Sequence, residues 1–389
     1  MSIGDTLRRL RRERGMSQES LAIRCGWSRA YIGHWETGRA IPDVRQVDDL
    51  DRALSARGEL IGTAYLDRID AVDSTPLETT DLLARLRSSD TSRDTLDRLE
   101  AVTFELCCRY PYSEAPRLRA EAQAVIRDAA GMLRRPTGLR EHRELLASAG
   151  WLALLVGCLE YDMGLRRASE ATRTMARDLA HEAGHTEIAG WAAEMGAWFA
   201  LTQGRYSDVM AETQQGLAVA GDHYVGVQLL AQEAKALARI GDQDDVRRAL
   251  DAGHAALQRM PSPDRPEHHF VIDPSKWDFY AMDTYRLAGD DDRASQHAHE
   301  VLRAGSMPDG SERSPMRMAE ARVTLGVAAA RAGDLDAAHA YGIAAMAGDR
   351  RSLPSLVMVA AELESALSQR FPDATLTHDF RDRLAALRE

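Results

Sequence analysis

Apolar residues recur at helical spacing from the start of the chain. Ile3, Leu7 and Leu10 share one face of a helix that Gly15 ends. Ser17 is placed to cap a second helix, Gln18 to Cys25, with Leu21 and Ala22 turned inward. Gly26 turns the chain, Ser28 caps a third helix reaching Glu36, and Thr37-Gly38-Arg39 stops it. Pro42 then opens a fourth helix whose buried face carries Val47, Leu50 and Leu54, and a fifth runs near Leu60 to Asp70. Residues 71–80, with Pro76, read as a linker. Beyond it the pattern is helical almost throughout. Loop signals break it at Pro111 to Pro116, Pro261 to Ser275 and Gly305 to Pro315, and strand-like alternation never persists. The spacing predicts an all-α protein: a small five-helix head over 1–70, the linker, and a long helical body over 81–389.

The body carries a recurring signature in which a glycine turn is followed five positions on by a small or apolar residue. It stands at Gly204 to Val209, Gly241 to Val246, Gly289 to Ala294 and Gly333 to Ala338. An earlier unit around Leu155 to Met175 reads as lacking the turn glycine. The unit from Leu325 to Ala345 resembles the tetratricopeptide repeat, with Leu325-Gly326, Ala329, Gly333, Ala338 and Ala345 where that family places small and apolar residues. The glycines are 37, 48 and 44 residues apart, longer than the family's ~34, so divergent repeats with inserted loops are expected. The resemblance implies a helical solenoid with a concave groove lined by the first helix of each pair. Counting back from the turn glycines puts Trp191, Glu194, Trp198, Gln228, Lys235, Arg239, Lys276, Phe279, Asp283, Arg286 and Glu320 on that face, as a candidate effector groove.

Charge divides the chain further. The net charge is -11, yet residues 1–45 hold nine Arg against five acids, a balance of +4 that leaves -15 on the remainder. A basic head on an acidic body suits a nucleic-acid contact confined to the head. Of 49 basic residues 47 are Arg, and the two lysines, Lys235 and Lys276, both fall on the expected groove. An Arg- and Ala-rich chain suggests a GC-rich genome. Cys25, Cys107, Cys108 and Cys158 form neither a CxxC motif nor a disulfide framework and read as small buried apolar residues of a reducing cytosol. The longest apolar run, Ala149 to Leu159, is too short to span a bilayer, and no secretory leader is visible at the N-terminus. A cytoplasmic protein without a membrane partner is expected.

Within the head, Met16-Ser17-Gln18-Glu19-Ser20-Leu21-Ala22 and Trp35-Glu36-Thr37-Gly38-Arg39 make Ile3 to Leu54 resemble the Cro/C1-type, or xenobiotic-response-element, helix-turn-helix. The resemblance implies a transcriptional regulator that binds double-stranded DNA, usually as a homodimer on a palindromic operator. It places Arg29, Ala30 and His34 at base-reading positions and Gln18 and Ser28 at phosphate-contacting ones, with Arg39 at the end of the reading helix. Arg11 and Glu36 match a structural ion pair of that family, and Trp27, Tyr31 and Trp35 read as packing residues. The combination of such a head with helical repeats resembles regulators of development and secondary metabolism in actinobacteria. Peptide receptors of related build grip the peptide backbone with asparagines, and this sequence has none. A small molecule or a protein is therefore the expected effector, if the body does more than dimerise.

One motif points elsewhere. His181-Glu182-Ala183-Gly184-His185 matches HExxH, in which two histidines one helical turn apart hold zinc and the glutamate activates water. The alternative reading is thus a helix-turn-helix protein fused to a metallopeptidase. Gly184 lies 20 residues before Gly204, as Gly221 lies 20 before Gly241, which marks both as loop glycines between repeats. A loop there would separate the two histidines. Glu267-His268-His269 with Asp273 reads as a solvated loop. No catalytic residue, metal ligand or cofactor is assigned, and the expectation is a non-enzymatic regulator.

Overall fold

The computed structural model describes residues 3–40, 42, 44–56, 59–60, 63, 93–135, 137–221, 223–241, 243–272 and 274–388. Eighteen helices stand among the described residues, with one isolated bridge, Ser306 to Glu312, as their extended pairing. The chain divides into two compact units, Met1–Asp90 and Thr91–Glu389. The expected linker 71–80 and most of the fifth head helix lie outside the described residues, although Glu59, Leu60 and Thr63 are helical.

The head begins with α1 (Ile3–Glu13), α2 (Gln18–Cys25), α3 (Arg29–Glu36) and α4 (Val44–Ala53). Both capping serines act as the sequence implies: Ser17 accepts from the Ser20 N–H at 3.0 Å and Ser28 from the Tyr31 N–H at 3.4 Å. Between them Gly26 takes φ +72°, a conformation L side chains resist, and ends α2 tightly enough for α3 to start three residues later. Leu7, Leu21, Ile32, Leu50, Leu54 and Leu60 are fully buried in one core. Arg11 of α1 grips Glu36 of α3 through two hydrogen bonds of 2.5 and 2.9 Å. Its remaining amine reaches the Met16 carbonyl at 2.8 Å, and Gln18 of α2 donates to the same carboxylate at 2.9 Å. The two charged side chains are only 11% and 2% exposed, so this fork pins three helices together in little water.

The second unit starts with α5 (Arg93–Arg109) and α6 (Ala115–Leu133), packed against α7 (Leu139–Asp162). Helix pairs follow: α7 with α8 (Arg166–Ala183), α9 (Thr186–Thr202) with α10 (Tyr206–Ala220), and α11 (Tyr224–Ile240) with α12 (Gln243–Arg259). Then come α13 (Pro274–Ala288) with α14 (Asp291–Gly305), α15 (Pro315–Ala332) with α16 (Leu335–Met346), and α17 (Leu353–Arg370) with α18 (Thr375–Arg388). Glycines at 204, 241, 289 and 333 hold the turns at φ between +70° and +92°, and the residues five positions on, Val209, Val246, Ala294 and Ala338, are all buried. The α7/α8 unit corrects one reading of the sequence. Gly164, at φ +76°, is its turn glycine, and Ser169 fills the small buried position five residues on.

The first helices of the pairs pack side by side from α7 through α9, α11, α13 and α15 to α17, and α17 packs back on α7 and α9. The inner row is therefore closed, not open. Two buried polar clusters fasten it. Arg350, just before α17, donates to Asp162 at the end of α7 at 2.9 Å, where Tyr110 also donates at 2.8 Å. Glu362 of α17 accepts from Arg239 of α11 at 2.9 Å and from Arg286 of α13 at 2.8 Å, while Asp283 lies between those two arginines. The α7 helix is long and apolar enough by length and composition to cross a membrane, unlike the shorter run picked out of the sequence. Its apolar window is 72% buried, because α5, α6, α8, α9 and α17 all pack on it. It is the hub of a core.

Residues 267–272 are not a solvated loop, and Asp273 lies outside the described residues. His269 donates its N–H to the Cys107 carbonyl at 3.2 Å, and its ring lies 3.8 Å from that of Tyr110. Phe270 is buried between Trp151 and Trp191, at 5.3 and 5.2 Å between ring centres. Lys276 fastens the segment from below, with its ammonium donating to the carbonyls of His268, His269 and Val271. Burial holds both histidines neutral, His268 pushed down to about 4.

Two outcomes follow from these clusters. Glu36→Ala, which strands a buried guanidinium, should cost the head about 3 kcal/mol, measured by urea denaturation of the Met1–Asp90 unit. Arg11, Gln18 and Arg8 overcome burial and hold the Glu36 carboxyl below its ordinary value of 4.5. Its contribution is accordingly present above that pH and lost as pH falls through the lowered value, so the cost of the substitution should shrink in acid. In the body, Arg350→Ala should lower stability by about 2 to 3 kcal/mol, whereas Arg247→Ala on the exposed face of α12 should stay within about 0.5 kcal/mol. Equal urea midpoints for those two variants would remove the closing role given to Arg350.

Candidate functional site

Two places in the chain concentrate chemistry. The first is the outer face of α3. Arg29, Ala30 and His34 are exposed there, and with Gly33, Thr37, Arg39 and Gln18 of α2 they line one open depression. The helical period sets this: residues 30, 33, 34 and 37 share a stripe, while Ile32, Trp35 and Glu36 face the core. Of the six residues singled out from sequence, only Ser28 is off this surface, occupied as the cap of α3. Gln18 has its amide nitrogen on Glu36, which leaves its carbonyl oxygen for other contacts. Trp27, Tyr31 and Trp35 pack against one another with ring centres 5.6 to 6.3 Å apart. Tyr31 is half exposed, whereas Trp35 is buried and anchors α3.

The second place is a partly open cavity of about 130 Å³ along the inner row of helices. Seven residues expected in the groove line it: Glu194, Trp198, Gln228, Lys235, Lys276, Phe279 and Glu320. Four do not. Trp191 is turned into the core against Phe270. Arg239, Asp283 and Arg286 belong to the ionic cluster that binds α17, so their charges are matched by protein. Closure is the physical reason for the difference, since side chains on an open groove would face water. Lys276 has its ammonium on the three loop carbonyls. Lys235 stands 3.6 Å from Asp283, with its ammonium 5.0 Å from the centre of the Phe279 ring.

The acids of the cavity are perturbed by burial. Glu194 accepts from Gln228 at 2.8 Å and Gln232 at 2.7 Å on one oxygen, yet burial still raises its pKa. Glu320 is pushed up to about 7, mainly by burial, against the pull of Lys235. Trp198 donates to Ser355 of α17 at 2.9 Å. Tyr110, His269, Gln232, Tyr280, Ser352, Ser355 and Met358 also line the cavity and were not foreseen. Gln232 lies one turn beyond Gln228 and could have been found from that spacing. The contributions of α17 and of Glu267 and His269 carry no repeat signal.

The HExxH sequence does not form a ligand pair on one helix. His181 lies in the last turn of α8, Gly184 ends that helix at φ +68°, and His185 is the N-cap of α9, accepting from the Ile188 N–H at 3.4 Å. Among the described residues no group of three or more His, Cys, Asp or Glu side chains could hold a metal ion.

Residues 2–62 match the helix-turn-helix domain family. The chain is 34% identical over 77 residues to the uncharacterized HTH-type transcriptional regulator y4dJ of Sinorhizobium fredii, covering 20% of this chain and 91% of that protein. It is 38% identical over 63 residues to multiprotein-bridging factor 1 of Candida glabrata, covering 16% of this chain and 42% of that protein. With its capped α2 and α3, its shared core and this coverage of a regulator nearly end to end, the chain belongs to the HTH-type transcriptional regulators.

Proposed function

We propose that this protein is a Cro/C1-type regulator that reads a near-palindromic operator as a homodimer. Arg29 and His34 meet base edges in the major groove, and Ala30 can touch a thymine methyl. Gln18, Ser28 and Arg39 hold the flanking phosphates. The observation that carries the reading is the convergence of Gln18, Arg29, Ala30, His34 and Arg39 on one exposed face of the second and third helices. A helix docked in the major groove presents such a stripe, and a guanidinium can donate two hydrogen bonds to guanine. The +4 balance of residues 1–45 favours phosphate, while the -15 on the remainder repels it.

The body, in this proposal, is a divergent tetratricopeptide-like array that dimerises the protein and senses an effector in its cavity. An effector acts by preferring one arrangement of the dimer, with a coupling of about 1 to 3 kcal/mol between the two sites.

Arg29→Ala should weaken cognate operator binding by about five- to 150-fold, the equivalent of 1 to 3 kcal/mol, and leave random duplex nearly untouched. Competition titration at fixed salt distinguishes the two; equal losses on both would assign Arg29 to the backbone. Nuclease footprinting should show two half-sites about 10 bp apart, or a multiple of that. Protection of one half-site alone would contradict the dimeric reading.

A further inference from the structure

The interior cavity has an unbalanced wall. The carbonyl oxygen of Gln232, on a side chain only 4% exposed, has no hydrogen-bond partner. Glu320, 6% exposed, makes no side-chain hydrogen bond or ion pair among the described residues. Glu194 takes both glutamine amides on a single oxygen, leaving the other open. All three are acceptors. Two of the donors nearby are engaged, Lys276 by three carbonyls and Trp198 by Ser355, while Lys235 stands 3.6 Å from Asp283 with its ammonium over the Phe279 ring. Burying acceptors and acids without donors is costly, so the wall calls for a molecule that brings donors and positive charge.

We propose that the cavity binds a small amphipathic amine, its ammonium among Glu194, Gln232 and Glu320 and its apolar body against Trp198, Leu201, Phe279 and Met358. The volume of about 130 Å³ corresponds to roughly ten water positions at ~10–15 Å³ each, the size of a one-ring amine and far more than a bare ion needs. The aromatic walls add favourable contacts with both the cation and the ring. This ligand class rests on the proposed reading of the cavity as the effector site.

A proton is coupled to binding. Glu320 faces Lys235 and Arg239 on α11 and Asp283 and Arg286 on α13, with Arg317 on its own helix and Glu194, Lys276 and His269 around the same cavity. The balance of burial and these charges leaves it about half protonated near pH 7. An ammonium beside it favours the carboxylate, so binding releases a proton from Glu320. Amine affinity therefore rises with pH through about 7 and levels off above.

The test is titration calorimetry of the full-length protein with 2-phenylethylamine, 2-phenylethanol and 3-phenylpropionate, matched in shape and different in charge. The amine should bind once per chain and at least about tenfold tighter than the other two, and Glu320→Gln should reduce its affinity by about tenfold and flatten the pH dependence. Gln232→Met, which deletes the unpaired carbonyl, gives an independent variant, and the helicity of both is checked beforehand. The proposal is overturned if the alcohol or the acid binds as tightly, if neither substitution changes amine affinity, or if no amine heat is seen up to about 1 mM. Operator affinity with and without amine separates the two ideas. Amine binding that leaves operator affinity unchanged upholds the ligand class and removes the effector role. Control of operator binding by the acid in place of the amine does the reverse.

Discussion

The body depends on the closure of its inner helices by α17. Arg239 and Arg286 reach that helix through Glu362 and hold Asp283 between them, so α11, α13 and α17 share one set of charges. Thr324 of α15 joins by accepting from Arg286 at 2.8 Å. At the other seam Arg350 and Tyr110 satisfy Asp162, and the guanidinium lies 4.7 Å from the centre of the Tyr110 ring. Ion pairs this deeply buried add little net stability over apolar packing, because both partners lose water. What they supply is register: a guanidinium and a carboxylate must meet within hydrogen-bond distance, whereas leucines tolerate sliding. A stacked array with no such constraint could remain an open superhelix.

Closure changes the meaning of every polar residue on the inner face. On an open groove Glu194 or Glu320 would be hydrated at no cost. Inside the closed row burial raises both carboxyls, and two glutamines are recruited to one of them. Residues 267–272 add to the cavity's wall, with His269 on it and Lys276 fixing the carbonyls behind. A lysine suits that position because its ammonium is a compact point donor with three rotatable N–H groups, one for each carbonyl.

The head solves a different problem with similar means. Its core is small, so the Arg11 to Glu36 fork, backed by Gln18 and the Met16 carbonyl, fixes the relation of α1, α2 and α3. That relation aims the exposed stripe of α3. Gln18 contributes to both sides at once: its nitrogen stabilises the buried carboxylate while its position places it at the rim of the outer depression. Its bond to Glu36 is an inward role that the sequence reading did not assign.

Local signals determined much of this protein. The head's first four helices, the capping serines, the turn glycines of the later repeats and the break at Gly184 follow from rules acting over a few residues, and each stands where the sequence places it. The exposed stripe of α3 was legible for the same reason, since one helix's period decides it. The cavity was legible only in part. Counting along repeats found the residues contributed by successive inner helices, such as Glu194, Lys235 and Glu320. It could not find Ser355, Met358 or His269, nor see that Arg239, Asp283 and Arg286 bind another helix in place of a ligand. Those facts arise from contacts between residues as far apart as Arg350 and Tyr110. Helical period and turn chemistry carry no information at that range, because closure is decided by which surfaces meet after the helices have formed.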